Sequence, residues 1–211
     1  MRKSMLIYAL IISLSLGLTT AAGQWDVLDG SLLPADIGWS ESSATHGDGV
    51  SEITTVIPDP DIAGNKLIRV DSYYMGAEFK EMWKKTIGGD PANGQTVVFR
   101  AVALDTSLFD RGIDVYLYDG AYRDRITTQN HGTSIVFDKA EVSAAIDATV
   151  WHIYRFTGKN DSLKVYLDEA ATPILAAKSP ASSTDKYFRF GDGGGDTYGA
   201  VYDWFIWDTT G

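Results

Sequence analysis

Cysteine is absent from the 211 residues, which excludes disulfide staples, thiolate metal sites and a lipid-anchored N-terminal cysteine. Histidine is nearly as scarce. His46, His131 and His152 are too scattered to predict a zinc or copper site, and His152 alternates with Tyr154 in a strand pattern that suits a packed or hydrogen-bonded side chain. Basic residues number 18 against 28 acidic ones, and the net charge of −10 repels phosphate backbones. A nucleic-acid binder would show a basic face, and none is visible, so no nucleic acid is expected as a partner. A Gly-x-Ser-x-Gly elbow is also missing, which leaves Ser-His-Asp catalysis unassigned. There is no internal repeat, low-complexity tract or linker.

The N-terminus carries the first positive signal. Arg2 and Lys3 precede an apolar run from Met5 to Leu18, too short to span a bilayer but suited to the hydrophobic region of a secretory signal. Small side chains follow at Ala21-Ala22-Gly23, so residues 1–23 read as a signal peptide and the mature chain as 24–211. No second apolar stretch of spanning length occurs. The mature protein is therefore expected to be free of the membrane and secreted, extracellular or periplasmic. Export without disulfides fits a bacterial source.

From Gln24 onward the apolar residues alternate or come in short runs, punctuated by Gly, Asp, Asn and Pro about every ten residues, which is an all-β pattern. Thr96 to Leu104 is a continuous run expected to be buried on both sides. Gly112 to Tyr118, the turn Asp119-Gly120 and the polar strand from Tyr122 to Thr128 predict a hairpin. Ser134 to Phe137 makes a further strand. Asp138 with Glu141 offers a capping box for two helical turns up to Thr149, with a loop or an edge strand as the alternatives. Trp151 to Phe156 and Ser162 to Asp168 flank the turn Gly158-Lys159-Asn160-Asp161 as a second hairpin. Strands over Ile174–Ala177, Tyr187–Gly191 and Ala200–Trp207 follow. Ten or more strands with no crossover helix predict one antiparallel two-sheet β-sandwich domain.

The paired strands Trp151-His152-Ile153-Tyr154-Arg155-Phe156 and Val165-Tyr166-Leu167-Asp168-Glu169 resemble those of laminin-G-like and concanavalin A-like lectin/glucanase domains. The closing segments Phe188-Arg189-Phe190-Gly191-Asp192 and Tyr202-Asp203-Trp204-Phe205-Ile206-Trp207 are similar to the last strands of that superfamily. The resemblance implies a concanavalin A-like jelly roll, a fold that hosts lectins, carbohydrate-binding modules, glucanases and polysaccharide lyases and does not choose among them.

The glucanases of the superfamily resemble one another in a Glu-x-Asp-x-x-Glu strand, and this chain lacks it. Glu78 and Glu81 are the nearest acidic pair. A spacing of three puts them on opposite faces of a strand, and Lys80, Lys84 and Lys85 beside them suggest a solvated face. Gln129-Asn130-His131 is similar to the Gln-x-His element of alginate-lyase-like families, and Tyr187-Phe188-Arg189 to their Tyr-Phe-Lys segment. The resemblance implies a lyase set of His131, Tyr187, Arg189 and Gln129. Their Arg-x-Glu strand has no counterpart, and Gln129 to Gly132 reads equally as a polar turn.

Asp192-Gly193-Gly194-Gly195-Asp196 sets two carboxylates, Asp192 and Asp196, on a loop with free carbonyls, an oxygen-rich environment suited to a structural Ca²⁺. Many members of the resembled superfamily hold such an ion. Tyr116 and Tyr118 share one strand face, and Tyr122, Arg123 and Arg125 follow the turn, an aromatic and cationic strip suited to polysaccharide. The function expected is an exported, non-catalytic glycan-binding or adhesive domain. A polysaccharide-degrading enzyme on the same fold, and a self-associating structural subunit, are the alternatives.

Overall fold

The computed structural model describes residues 26–44, 53–72, 80–88, 90–104, 110–193 and 198–209. Residues 1–23, read above as a signal peptide, and Trp25, His46, Glu78 and Asp196 lie outside the described residues.

Fifteen strands occur among the described residues: β1 Asp26–Leu28, β2 Ser40–Ala44, β3 Thr54–Pro58, β4 Lys66–Asp71, β5 Glu81–Thr86, β6 Gln95–Ala103, β7 Asp114–Asp119, β8 Arg123–Gln129, β9 Ser134–Phe137, β10 Val142–Ala145, β11 His152–Lys159, β12 Ser162–Leu167, β13 Leu175–Lys178, β14 Lys186–Asp192 and β15 Gly199–Asp208. They form two sheets. One runs β13-β12-β11-β6-β15-β4-β3, with β1 also on β15, and the other runs β10-β9-β8-β7-β14-β5-β2. The pairings of these strands are all antiparallel. This is the two-sheet jelly-roll sandwich expected from the alternating pattern. No helix among the described residues is long and apolar enough to cross a membrane.

The inner faces meet in an aromatic core. Trp39 stands edge-on to Phe188, Phe190 and Trp207 at 4.9, 5.2 and 5.7 Å, while Phe205 stacks on Phe190 at 4.5 Å and on Phe99 at 5.2 Å. A bulge makes this possible. The register of β15 against β6 shifts between Tyr202 and Trp204, so both Tyr202 and Phe205 reach the core although three positions apart. Asp203, at the shift, is tied to Arg100 Nη1 at 2.6 Å and to Asn65 Nδ2 at 3.0 Å.

Three expectations are corrected. β6 is not buried on both sides: its exposure alternates residue by residue, because only one face of the sheet is covered by the second sheet. The segment after Asp138 takes the edge-strand alternative, not helical turns. Asp138 Oδ1 accepts from Arg125 Nη2 at 3.0 Å instead of capping, and Val142–Ala145 pairs with β9. Glu81 is not on a solvated face. It shares the core-side parity of Trp83, opposite Asp192, and is fully buried.

The β11–β12 turn holds Asn160 at φ 52°. Asn tolerates that left-handed conformation better than most L-residues, and Gly tolerates it best. Asn160→Ala is therefore expected to cost about 1 kcal/mol and Asn160→Gly close to nothing, as read from urea-unfolding midpoints.

Candidate functional site

The outer face of the seven-stranded sheet gathers most of the residues singled out above. Strand alternation turns Val115, Leu117, Phe188 and Phe190 into the core and leaves Tyr116, Tyr118, Tyr187 and Arg189 on the other side. Register then aligns them. Lys84 of β5 lies opposite Arg189 of β14, which lies opposite Tyr116 of β7, which lies opposite Arg125 of β8. A second row runs Thr86, Tyr187, Tyr118, Arg123 across the same four strands. With strands ~4.8 Å apart, each row is about 14 Å long.

Cations and rings interleave along these rows. The Arg189 guanidinium lies over the Tyr116 ring at 4.0 Å and reaches Tyr118 at 5.5 Å, Arg125 lies 5.4 Å from the Tyr116 centroid, and Arg123 lies 5.8 Å from that of Tyr118. Lys84 Nζ sits over Tyr187 at 5.3 Å, and the Tyr118 and Tyr187 centroids are 4.1 Å apart. Ring faces are thus already occupied. What the layer offers a ligand is guanidinium and ammonium groups, phenol hydroxyls and ring edges. Tyr118 itself is only 2 % exposed and supports the layer from beneath. Tyr122 lies away from the rows, bridged to Ser182 and within the field of Lys178 on the other sheet.

Buried charge fixes the inner edge of the site. Arg125 Nη1 donates to Asp114 Oδ2 at 3.2 Å and to the Tyr116 hydroxyl at 2.8 Å, while its Nη2 donates to Asp138 Oδ1 at 3.0 Å. Burial pushes the Asp114 carboxyl up to about 7; Arg125 opposes that shift and the charge of Asp192 adds to it. Burial and Asp114 push the Tyr116 phenol up to about 12. Tyr187 is also raised, first by burial and then by a hydrogen bond with Tyr118. These tyrosines are neutral hydrogen-bonding phenols at pH 7.

Beside the rows an open groove of about 350 Å³ is lined by Gln129, Asn130, Ser134, Asp138, Glu141 and Ser143. Asp138 joins it to the Arg125 end of the first row.

The structure divides the lyase-like set. Tyr187 and Arg189 belong to the rows, but Gln129 lies six residues along β8 from Arg123, the residue level with Tyr187, which is ~20 Å. His131 sits exposed at the tip of the β8–β9 turn with φ 54°. Together with the raised phenol of Tyr187, this spacing gives no base and partner at one reacting centre. His152 is held elsewhere, its Nδ1 2.7 Å from Asp168 Oδ2 and its Nε2 2.9 Å from the Asp147 carbonyl.

Of the carboxylates proposed for calcium, Asp192 is buried at the end of β14, and Asp196 lies outside the described residues. Among the described residues no group of three or more His, Cys, Asp or Glu could hold a metal. Just before Asp192, Gly191 has φ +121°, and a Cβ there would meet the Glu81 carbonyl oxygen at 2.3 Å, so β14 can run this close to β5 only with glycine.

Sequence reasoning missed Lys84, Asp114 and Asp138. Lys84 lay in a lysine-rich stretch that looked solvated, and Asp138 looked like a cap. Asp114 did carry a signal, an acid embedded between Ile113 and Val115.

No protein-family model matches the chain, and comparison with curated proteins gives no match. Solved structures do share its fold. The Bacillus licheniformis beta-glucanase is 14% identical, with 90% of this chain and 99% of that one aligned at a TM-score of 0.56. A structure from work on endo-acting O-glycanases of the human gut microbiota that initiate mucin breakdown is 13% identical, with 88% and 99% aligned at 0.57. A native glycosidic hydrolase is 14% identical, with 92% and 99% aligned at 0.54. At such identities the likeness is one of fold, and the fold is the concanavalin A-like jelly roll.

Proposed function

We propose that this chain is an exported, non-catalytic carbohydrate-binding or adhesive domain that holds polysaccharide on the outer face of its seven-stranded sheet. The observation that carries this reading is the pair of rows, in which four strands present Lys84, Arg189, Tyr187, Tyr116, Arg125 and Arg123 side by side on one face. Sugars are dense in hydroxyl groups, and forked guanidinium donors with phenols that both donate and accept match that chemistry. The groove beside Asp138 extends the surface with amide, hydroxyl and carboxylate groups. Three solved structures of the same fold belong, by their descriptions, to glycan-cleaving proteins, which supports a carbohydrate partner without fixing the role. The missing Glu-x-Asp-x-x-Glu strand and the spread of the lyase-like residues favour binding over cleavage.

The test is to incubate the purified chain with neutral and uronate-containing polysaccharides and follow retention and polymer length together. Retention at constant length is expected. Tyr187→Ala should weaken it about tenfold, since it removes the ring that holds Lys84 in place and with it one well-placed charge-assisted hydrogen bond to the ligand. Tyr166→Ala removes the same kind of pair, with Arg155 at 3.8 Å from the ring, from the other sheet and should change nothing. Shortening of the polymer would replace this reading with an enzymatic one. No retention of any polymer would overturn it.

A further inference from the structure

We infer that the face selects polysaccharide bearing oxyanions, carboxylate or sulfate, and that Arg189 and Lys84 form the anion subsite. This rests on the carbohydrate-binding reading above and names the ligand class it would take.

Lys84 and Arg189 are directly opposite each other on neighbouring strands. Like charges in that position repel, and a sheet without a further use for them would place an acid at one of the two. The chain is rich in acids, with 28 Asp and Glu, yet none is spent here. Among the described residues neither Lys84 nor Arg189 makes an ion pair, and both rest on tyrosine rings, Lys84 on Tyr187 and Arg189 on Tyr116. Arg189 Nε is buried without a hydrogen-bond partner.

The other arginine of the row is different. Arg125 is bonded to both Asp114 and Asp138, so its charge is matched within the protein. The Asp114 charge also reaches Arg189, but its carboxylate is already bonded to Arg125. Arg123 at the end of the second row adds a third cation, bonded to the Tyr118 hydroxyl at 3.5 Å.

The rings hold these cations in place and cover their apolar sides, so each is oriented and partly dehydrated before a ligand arrives. An oxyanion set between Lys84 and Arg189 relieves their repulsion and takes charge-assisted hydrogen bonds from both, whereas a neutral hydroxyl leaves the repulsion standing. Stacking of a neutral sugar on Tyr116 would first have to displace Arg189. The geometry therefore favours charge recognition over ring stacking, which inverts the usual use of exposed tyrosines.

The test compares dextran, carboxymethyl dextran and dextran sulfate, one backbone with and without oxyanions, using the full chain. At low salt at least one charged polymer should bind about tenfold or more tightly than dextran, with the preference falling steeply with added salt. The charged form retained identifies whether carboxylate or sulfate is read. Arg189→Gln and Lys84→Gln should each abolish most of that preference, and Lys164→Gln, an exposed lysine on the opposite sheet, should leave it intact. Either of the first two variants suffices if the other fails to fold. Equal binding of the three dextrans, with neutral polymers retained, would overturn the anion subsite and leave the carbohydrate reading standing. An equal loss in Lys164→Gln would also overturn it, since the attraction would then be general. Failure of every dextran and of the wider panel would remove both readings.

Discussion

Phe205→Ala is expected to cost about 3–5 kcal/mol of folding stability, a large share of what a domain usually has. Phe205 is fully buried and touches Phe99, Phe188, Phe190, Tyr202 and Trp39, with centroids between 4.5 and 6.1 Å. Removing it deletes one of the rings through which the two sheets meet, and the rings around it are too rigid to collapse into the space. A urea titration of mutant and parent gives the difference directly. A loss below about 1 kcal/mol would mean that Trp39 and Phe190 can close over the gap. Trp151, half-buried beneath Arg100 at 4.2 Å, lies on the outer side of the same eight-stranded sheet, away from the core, and should be far more tolerant of the same truncation.

Arg125→Leu is expected to be about as damaging, for an electrostatic reason. The substitution removes the one ion pair that Asp114 makes among the described residues and leaves its carboxylate buried, and stranding one member of such a pair costs about 3–5 kcal/mol at pH 8. Adding Asp114→Asn should recover much of the loss.

The same carboxyl makes stability depend on pH. In the native protein Asp114 holds its proton up to about 7, above its ordinary value of 3.8, so between those values the folded state binds more protons than the unfolded one. The stabilisation from this group is complete below 3.8 and is lost as the pH rises through about 7. Stability measured by denaturant should therefore fall from pH 5 to pH 8, and Asp114→Asn should flatten that slope. A rise over the same range, unchanged in Asp114→Asn, would show that other groups govern it.

How far the sequence reached depends on how far apart the partners are. The β11–β12 hairpin was legible because its turn residues lie between its two strands. Likewise Tyr116 and Arg125 could be placed on one face because the short Asp119-Gly120 connection sets their register. Arg189 and Lys84 could not be added, since β14 meets β7 and β5 across long stretches of chain and no local residue pattern encodes that pairing. Period two tells which residues share a face but not which faces become neighbours. The β15 bulge was invisible for a related reason: one extra residue changes the parity between Tyr202 and Phe205, both apolar on either reading. Asp138 misled because a carboxylate three residues before a glutamate looks the same whether it caps a helix or bonds an arginine.

The position of β15 also governs when the protein can fold. It is the last described strand, yet it sits in the interior of its sheet, between β6 and β4 and touching β1. Until Asp208 has been synthesised, β4 and β6 face a vacant lane, and Phe99, Phe190 and Trp39 have no Phe205 or Trp207 to pack against. A nascent chain short of that point exposes two unpaired strand edges and a wet aromatic layer, so folding waits for the last described strand, is dominated by distant contacts and is correspondingly slow.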